Sequence, residues 1–543
     1  MSAARAPHAR AVSAMMRRVS ILERIRRYAR PPLLLDLVGL ALFALALAAA
    51  LQHLRDTVNF YDEGFVLTDA KLLGWHFVPY RDFYAGYPPG IFVTLAMLWK
   101  LCGVSVCSER CLGLGVHLLV ALGAGRAAAR LAGRRFSVLT AAVVLAFLIR
   151  ERLTLSAWLA AVGVLFVFCE LASRSLASPS ARRAAAAGVA LALVSFYRHD
   201  LFVYVVTALA LGLAVGSFAS RSSPSLRWRW LVGTAVATLV VLWLPVFARA
   251  GVRQVVDDLY FDQVRWVLPG RRLPFPPLFV VHHHALSTLL GQPRQYSLVL
   301  TLLGPCLALP WVLRRDRQWR WDALPLLAAT LAVIPQALGR PDIWHVVGTV
   351  PLALAAVGAL TERVTAAPRG WLWRAPLVTL LLALLVWPVA ALVRYPRALP
   401  PFVDPALSPE RQRLVEFVQA HTAPREPIYI GYHQHQRVAA NEMDLYYFCD
   451  RPGATRYMQF DPNIITRAEV QRRMVEEIEQ KHVRLAIILT EGEDWLEPNE
   501  SSRGGGSDVL DQYLRKTFTP VARFGRYEVC WRKRRDDSIR VKS

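Results

Sequence analysis

Charge is sparse in this chain, and acid is the sparser kind. Charged residues fill 19% of its 543 positions, against about 25% in an average soluble protein. The 40 Asp plus Glu face 64 Lys plus Arg, a formal net charge of +24. Cysteine is also rare: 7 residues, with no Cys-x-x-Cys pair and no Cys/His spacing, exclude a disulfide framework and a structural zinc site. Cys102, Cys107 and Cys111 read as apolar fillers near a membrane surface, with a Cys102–Cys107 bridge as the alternative. A P-loop, a dinucleotide fingerprint and an Asp-x-Asp metal motif are all missing, so the chain lacks the usual means of holding a nucleotide sugar. It also lacks the internal repeat that marks many secondary transporters.

Apolar sequence is what it has in excess: 55% of residues are hydrophobic and the mean hydropathy is +0.32. A soluble fold would be left with too much apolar surface, which excludes an ordinary cytosolic enzyme. In a soluble protein so positive a charge would point to nucleic acid. Here the arginines cluster just beyond the ends of apolar segments, where they meet anionic headgroups. Membrane lipids, not nucleic acid, are the expected partners.

Residues 1–32 form a basic N-terminus carrying Arg17, Arg18, Arg24, Arg26, Arg27 and Arg30. The apolar run from Leu33 to Leu51 is about the length of a bilayer-spanning helix, and basic residues before a span place the N-terminus on the cytoplasmic side. Further apolar segments cover 90–106, 112–125, 136–149, 153–172, 185–197, 201–218, 230–248, 296–313, 323–338, 343–361 and 371–393. If all of them crossed, the basic group Arg126, Arg130, Arg134 and Arg135 would lie outside, against the positive-inside rule. The segment 90–106, entered through Pro88-Pro89-Gly90 and carrying Lys100, is therefore expected to lie along the outer interface. About eleven spans then put every basic loop inside. The loops 52–111 and 249–295 fall outside with everything after residue 395.

From residue 396 the apolar runs shorten to strand length. Pro427–Gly431 and Leu485–Leu489 read as buried strands, Arg467–Gln480 and Val509–Thr517 as helices, and Arg523–Arg532 as a final strand or hairpin. The expected fold is an α-helical polytopic membrane protein of about eleven transmembrane helices plus juxtamembrane helices. Its transmembrane part is 33–395, and a small C-terminal extracytoplasmic α/β domain with a basic tail is 396–543. The expected location is the inner (plasma) membrane of a bacterium, with the site on the extracytoplasmic side.

Tyr61-Asp62-Glu63-Gly64 follows the first span by about ten residues, and two adjacent carboxylates at a membrane surface are costly unless solvated, paired or used. A solvated helix cap is the plain alternative. The loop continues through Pro79-Tyr80-Arg81-Asp82-Phe83 and Tyr87-Pro88-Pro89-Gly90. In this order and spacing the chain resembles the polytopic glycosyltransferases of the GT-C fold, the superfamily that includes protein O-mannosyltransferases and aminoarabinose transferases. The resemblance extends over the chain in architecture and over about residues 61–90 in motif. It implies Asp62 as general base with Glu63 as its partner, and Tyr61, Arg81, Asp82 and Tyr87 beside the substrate. Relatives of the aminoarabinose type carry Lys before the paired prolines where this chain has Tyr87, so no donor-phosphate contact transfers to that position.

Sugar transfer with inversion needs a carboxylate to take the acceptor's proton and cations to stabilise the departing phosphate. Arg198-His199-Asp200 and Arg340-Pro341-Asp342, with His345 one turn further on, lie between apolar segments on the same outer side. Arg198, His199, Arg340 and His345 are the candidate phosphate ligands and Asp342 a substrate contact; each alone reads equally as a snorkelling or capping residue. The loop Asp257 to Pro277, with Arg265, Trp266, Arg271 and Arg272, is either an acceptor groove or an interfacial helix. His282-His283-His284 reads as structural, since consecutive side chains seldom converge on one ion. A divalent cation at Asp62 and Glu63 stays open. In the C-terminal part, Tyr432 to His435, Asn441, Asp444, Tyr446 and Arg451 read either as an acceptor site or as an ordinary polar loop.

The expected activity is transfer of a sugar from a polyprenyl-phosphate-linked donor to a lipid, glycan or protein acceptor. The alternatives are a transporter or flippase of lipid-linked sugars and a non-catalytic binder. Transporters concentrate ionisable residues near mid-span, whereas here they gather at the outer ends of spans.

Overall fold

The computed structural model describes residues 32–149, 153–221, 224, 226–278, 293–313, 319–366, 404–437, 440–490, 499 and 506–533. The segment 371–393, the triplet His282 to His284 and most of the two termini lie outside these residues. Helices α1 (Pro32–Gln52), α2 (Asp62–Gly74), α3 (Gly90–Cys102), α4 (Val106–Leu131), α5 (Ser137–Leu148), α6 (Ala157–Ala177), α7 (Ala181–Tyr197), α8 (His199–Ser220) and α9 (Trp228–Ala250) come first. Helical turns, two of them π-type, run from Val252 to Arg271. Then come α10 (Pro293–Val312), α11 (Leu324–Ala332), α12 (Ile334–Gly339), α13 (Ile343–Val346) and α14 (Val350–Ala366).

Among the described residues, 8 helical segments are long and apolar enough to cross a membrane, and the chain is an integral membrane protein. They coincide with α1, α4, α6, α8, α9, α10, the broken pair α11–α12, and α13–α14. The shorter α5 packs on α1 and α4, while α7 packs on α6 and α9, so both belong to the bundle. The 13-residue α3 stops at Gly103, at φ 86°. That makes it about 20 Å long, too short to cross.

The structure corrects one boundary. The sequence reading began the second span at 112 and left Glu109 and Arg110 in the outer loop. Instead α4 starts at Val106, because Ser105 caps it, accepting from Ser108 N at 3.0 Å. Both charged side chains are buried inside the helix packing, 0% and 2% exposed.

After α14 the chain forms α15 (Pro409–His421), β1 (Tyr429–Tyr432), α16 (Asp444–Cys449), α17 (Ala468–Gln480), β2 (Leu485–Leu489), α18 (Val509–Thr517), β3 (Phe518–Phe524) and β4 (Tyr527–Arg532). The sheet order is β1-β2-β4-β3, with β1 and β2 parallel and the rest antiparallel. This unit does not stand apart. One hydrophobic cluster joins Phe65, Leu67, Tyr80, Phe83 and Phe92 to Tyr446, Tyr457, Ile487 and Val529.

Helix α2 makes the junction. Gly64, Thr68 and Lys71 recur at helical spacing on one face. Thr68 Oγ1 donates to Met443 O at 2.7 Å, and Lys71 Nζ donates to Tyr447 O at 2.8 Å and pairs with Asp450 at 2.5 Å. Gly64 lies so close to α16 that a Cβ there would meet Asp444 N at 2.5 Å. Gly64→Ala should therefore push the C-terminal unit off α2, costing about 1–3 kcal/mol as overpacking does. Limited proteolysis should then release residues 404–533 faster than in the wild type.

Candidate active site

The residues before α2 explain why it starts at Asp62. Asn59 Oδ1 accepts from the backbone N–H of Tyr61 at 3.0 Å and of Asp62 at 2.9 Å, while Glu63 Oε2 reaches back to Asn59 N at 2.9 Å. This reciprocal arrangement is a variant of the capping box. Glu63 is fully buried and faces Arg110, whose Nε and Nη2 donate to the carboxylate at 2.6 and 3.0 Å, and it also meets the buried Glu109 carboxyl. Arg110 Nη1 also donates to Leu54 O at 2.9 Å and Asp56 O at 2.7 Å, tying the end of the first span to the start of α2.

Asp62 faces elsewhere, since adjacent residues on a helix diverge by about 100°. Its carboxylate makes no hydrogen bond to a described residue, and solvent reaches it. The walls around it still remove much of its hydration, and this raises its pKa above the ordinary carboxylate value. The charges of His345, Arg271 and Arg340 pull it down, and that of Asp342 pushes it up. These four groups are thus its electrostatic neighbours.

They are held in two local sets. Arg340 pairs with Asp342 at 2.8 Å; Asp342 caps α13, accepting from His345 N at 3.1 Å and His345 Nδ1 at 2.8 Å. Arg340 Nη1 also donates to Arg271 O at 3.0 Å, which joins the two sets. In the second, Arg271 Nη2 donates to Asp461 Oδ1 at 2.7 Å and to the Tyr61 hydroxyl at 3.2 Å. Tyr61 in turn donates to Asp461 at 3.1 Å. A Cβ at Gly86 would stand 3.0 Å from Asp461 Oδ2, so glycine lets the 79–87 loop close over this carboxylate. Tyr87 stacks on Phe65 at 5.3 Å and lies 5.8 Å from the Arg198 guanidinium.

Of the residues expected from sequence, the structure brings together Asp62, Tyr61, Arg340, Asp342 and His345. Arg198 stands on the far side of Tyr87, bonded twice to Asp200 at 2.8 and 2.5 Å and 4.9 Å from the Trp158 ring. His199 sits beside the Leu259 backbone. Arg81 and Asp82 pair with each other at 2.8 Å, and Asp82 braces its own turn by accepting from Val78 N at 2.7 Å. Neither is among the charges felt by Asp62. Glu63 faces Arg110, so the acidic pair does not present both carboxylates to one cation. Among the described residues no group of three or more His, Cys, Asp or Glu is placed to hold a metal. Cys107 lies beside Cys111, and all 7 cysteines are free.

The polar run of the C-terminal unit is internal structure. His435 bonds Asp511 at 2.5 Å and the Tyr429 hydroxyl at 2.7 Å, Asn441 donates to Ile430 O and Met458 O, and Arg451 donates to Thr422. What this unit gives the site is Asp461, which sequence reasoning did not single out. A second buried pair, Arg456–Asp258 at 2.6 Å, fastens the same loop to the π-type turn. Burial pushes the Asp258 carboxyl up to about 7 against the pull of Arg456. Arg271 was visible only as one arginine in a long loop.

No family model matches the sequence, and no curated protein matches it either. Solved structures do match in shape. The structure of ArnT from Cupriavidus metallidurans bound to undecaprenyl phosphate aligns at a TM-score of 0.56 and 14% identity, covering 92% of this chain and 97% of that one. The apo structure of the same enzyme aligns at 0.54 and 16% identity over the same shares. The chain therefore has the GT-C fold anticipated from residues 61–90.

Two stability outcomes follow from the burial. Arg110→Gln leaves a buried carboxylate without its cation and should cost about 3–5 kcal/mol. Asp62→Asn should hold or raise the melting temperature at neutral pH. A carboxyl whose pKa is raised on folding loses stability as pH climbs past its unfolded value, and the amide removes that loss. Thermal unfolding of the detergent-solubilised protein checks both.

Proposed function

We propose that the protein is a membrane glycosyltransferase that moves a sugar from a polyprenyl-phosphate-linked donor to a lipid, glycan or protein acceptor. The observation that carries this is the convergence of one reachable carboxylate, Asp62, with Arg271 from the turns after α9, Arg340 between α12 and α13, and His345 in the first turn of a candidate span. An anionic leaving group fits such a place, because guanidinium groups supply paired, charge-assisted donors to phosphate oxygens. The fold match to an enzyme bound to undecaprenyl phosphate supports the same donor class.

In this reading Asp62 takes the proton of the acceptor hydroxyl as its oxygen attacks the anomeric carbon from the face opposite the phosphate. The new C–O bond forms with inversion, the bond from the anomeric carbon to the phosphate oxygen breaks, and polyprenyl phosphate departs with both electrons. Arg271 and Arg340 stabilise the charge that develops on that oxygen, with His345 as a further donor. Arg198 and His199 act at one remove, setting Tyr87 and the π-type turn. Arg81 and Asp82 shape the loop. The isoprenoid chain stays in the bilayer while its phosphate reaches the span ends. The distribution of basic loops supports an extracytoplasmic position for this end, and the proposed location is a bacterial plasma membrane.

A general base raised in pKa gives a rate that climbs with pH. kcat/KM for donor turnover should rise through a group titrating above the ordinary carboxylate range. In Arg340→Gln the rise should move to higher pH, because a cation that favours ionised Asp62 is gone; an unmoved profile contradicts the assignment. Transfer is separated from transport by product analysis in vesicles given a panel of polyprenyl-phosphate sugars. Transfer leaves free polyprenyl phosphate, whereas transport leaves the donor intact.

A further inference from the structure

A second basic cluster occupies the opposite end of the bundle. Arg110, which anchors Glu63, is in the second turn of α4, and Arg130 is near that helix's last residue. Twenty residues of α-helix separate them, about 30 Å, or the thickness of a hydrocarbon core. There, a cavity of ≈ 200 Å³ opens between α4 and α6, lined by Arg126, Ala129, Arg130, Arg134 and Glu170.

Arg126 and Arg130, four apart, share one face of α4, and Arg134 joins them from the turn that follows the helix. Glu170 is the one carboxylate in the lining, and its Oε1 already takes Arg126 at 2.9 Å and Arg174 at 2.7 Å. Glu362 lies outside the lining, against the backbone at Gly133. Arg320 is committed to closing α4, donating to Leu131 O at 2.8 Å and Arg130 O at 3.0 Å, and it pairs with Asp322. Among the described residues, Arg130 Nε and Glu170 Oε2 are both buried without a hydrogen-bond partner. Desolvating a guanidinium N–H and leaving it unused is costly, and the lining keeps an excess of positive charge.

We propose that this cavity binds the phosphate of an anionic ester, with Arg130 and Arg134 as its principal donors. The flanking surface favours a lipid as the source. On the same stripe of α4, Leu119 and Leu122 are exposed, and on α6 Val167 is exposed one turn before Glu170. Each helix thus carries an apolar lipid-facing strip that ends in arginine, the arrangement that seats acyl chains with their headgroup at the interface. A phosphate ester from the aqueous phase offers the same chemistry without the chains.

The test uses purified full-length protein in zwitterionic detergent micelles, supplemented with phosphatidylglycerol, with phosphatidylcholine or with inorganic phosphate. Native mass spectrometry and thermal unfolding are the readouts. The expected result is retention of phosphatidylglycerol over phosphatidylcholine and a raised melting temperature. Retention should fall at least about tenfold in Arg130→Gln/Arg134→Gln, which removes both charge-assisted donors, and should persist in Arg135→Gln, next to the cavity but not in its lining. Single Arg134→Gln, at an exposed site, guards against misfolding of the double variant and should show a partial loss. Stabilisation by inorganic phosphate alone, abolished by the same substitutions, would support the phosphate site and assign it a soluble ligand. Equal retention in the double variant, equal loss in Arg135→Gln, or no preference for the anion would overturn the proposal.

Discussion

The buried pair of Glu63 and Arg110 is the contact on which the rest of the site depends. A charge in so apolar a setting is tolerable only when its partner satisfies it fully. Arg110 does so with a forked pair of bonds to Glu63 and further bonds to the carbonyls that end the first span. Three things are thereby fixed relative to one another: the end of α1, the beginning of α4 and the first turn of α2. Since Glu63 points into the packing at Arg110 and Glu109, Asp62 points away from them, toward α13 and the turn at Arg271. The orientation of one carboxylate is the consequence of burying the other.

Other positions of α2 receive the rest of the structure. Gly64, Thr68 and Lys71 receive the C-terminal unit, and Phe65 stacks on Tyr87. The C-terminal unit then returns a loop that supplies Asp461 to Arg271 and Arg456 to Asp258. Chain segments 400 positions apart thus meet at Tyr61, whose hydroxyl bonds Asp461 across that separation. The π-type turns at Asp257–Phe261 and Gln263–Val267 widen the backbone where these contacts are made, as such turns often do beside functional sites.

Much of this was legible in the sequence, for physical reasons. Apolar runs of bilayer length and the placement of arginines located the spans, because hydrocarbon tolerates neither charge nor open backbone. Strand-length runs such as Leu485–Leu489 announced the C-terminal sheet. Asp62 stood out because an acidic pair beside a membrane demands an explanation. What stayed hidden was pairing. Nothing near Glu63 in sequence names Arg110, 47 positions on, and Asp461 is one acid in a polar loop until the fold carries it to Arg271. Arg81 and Asp82 show the converse: a charged pair with its own local turn satisfies itself. Glu109 and Arg110 were placed in a loop because hydropathy penalises charges that the folded helix buries together.

We place the proton transfer of the proposed reaction at Asp62. The most direct test of this compares the wild type with Asp62→Asn in lipid, supplied with polyprenyl-phosphate sugars, while mass spectrometry follows both bound donor and free polyprenyl phosphate. Both proteins should bind donor, and only the wild type should release polyprenyl phosphate. Equal release from the two would contradict that placement.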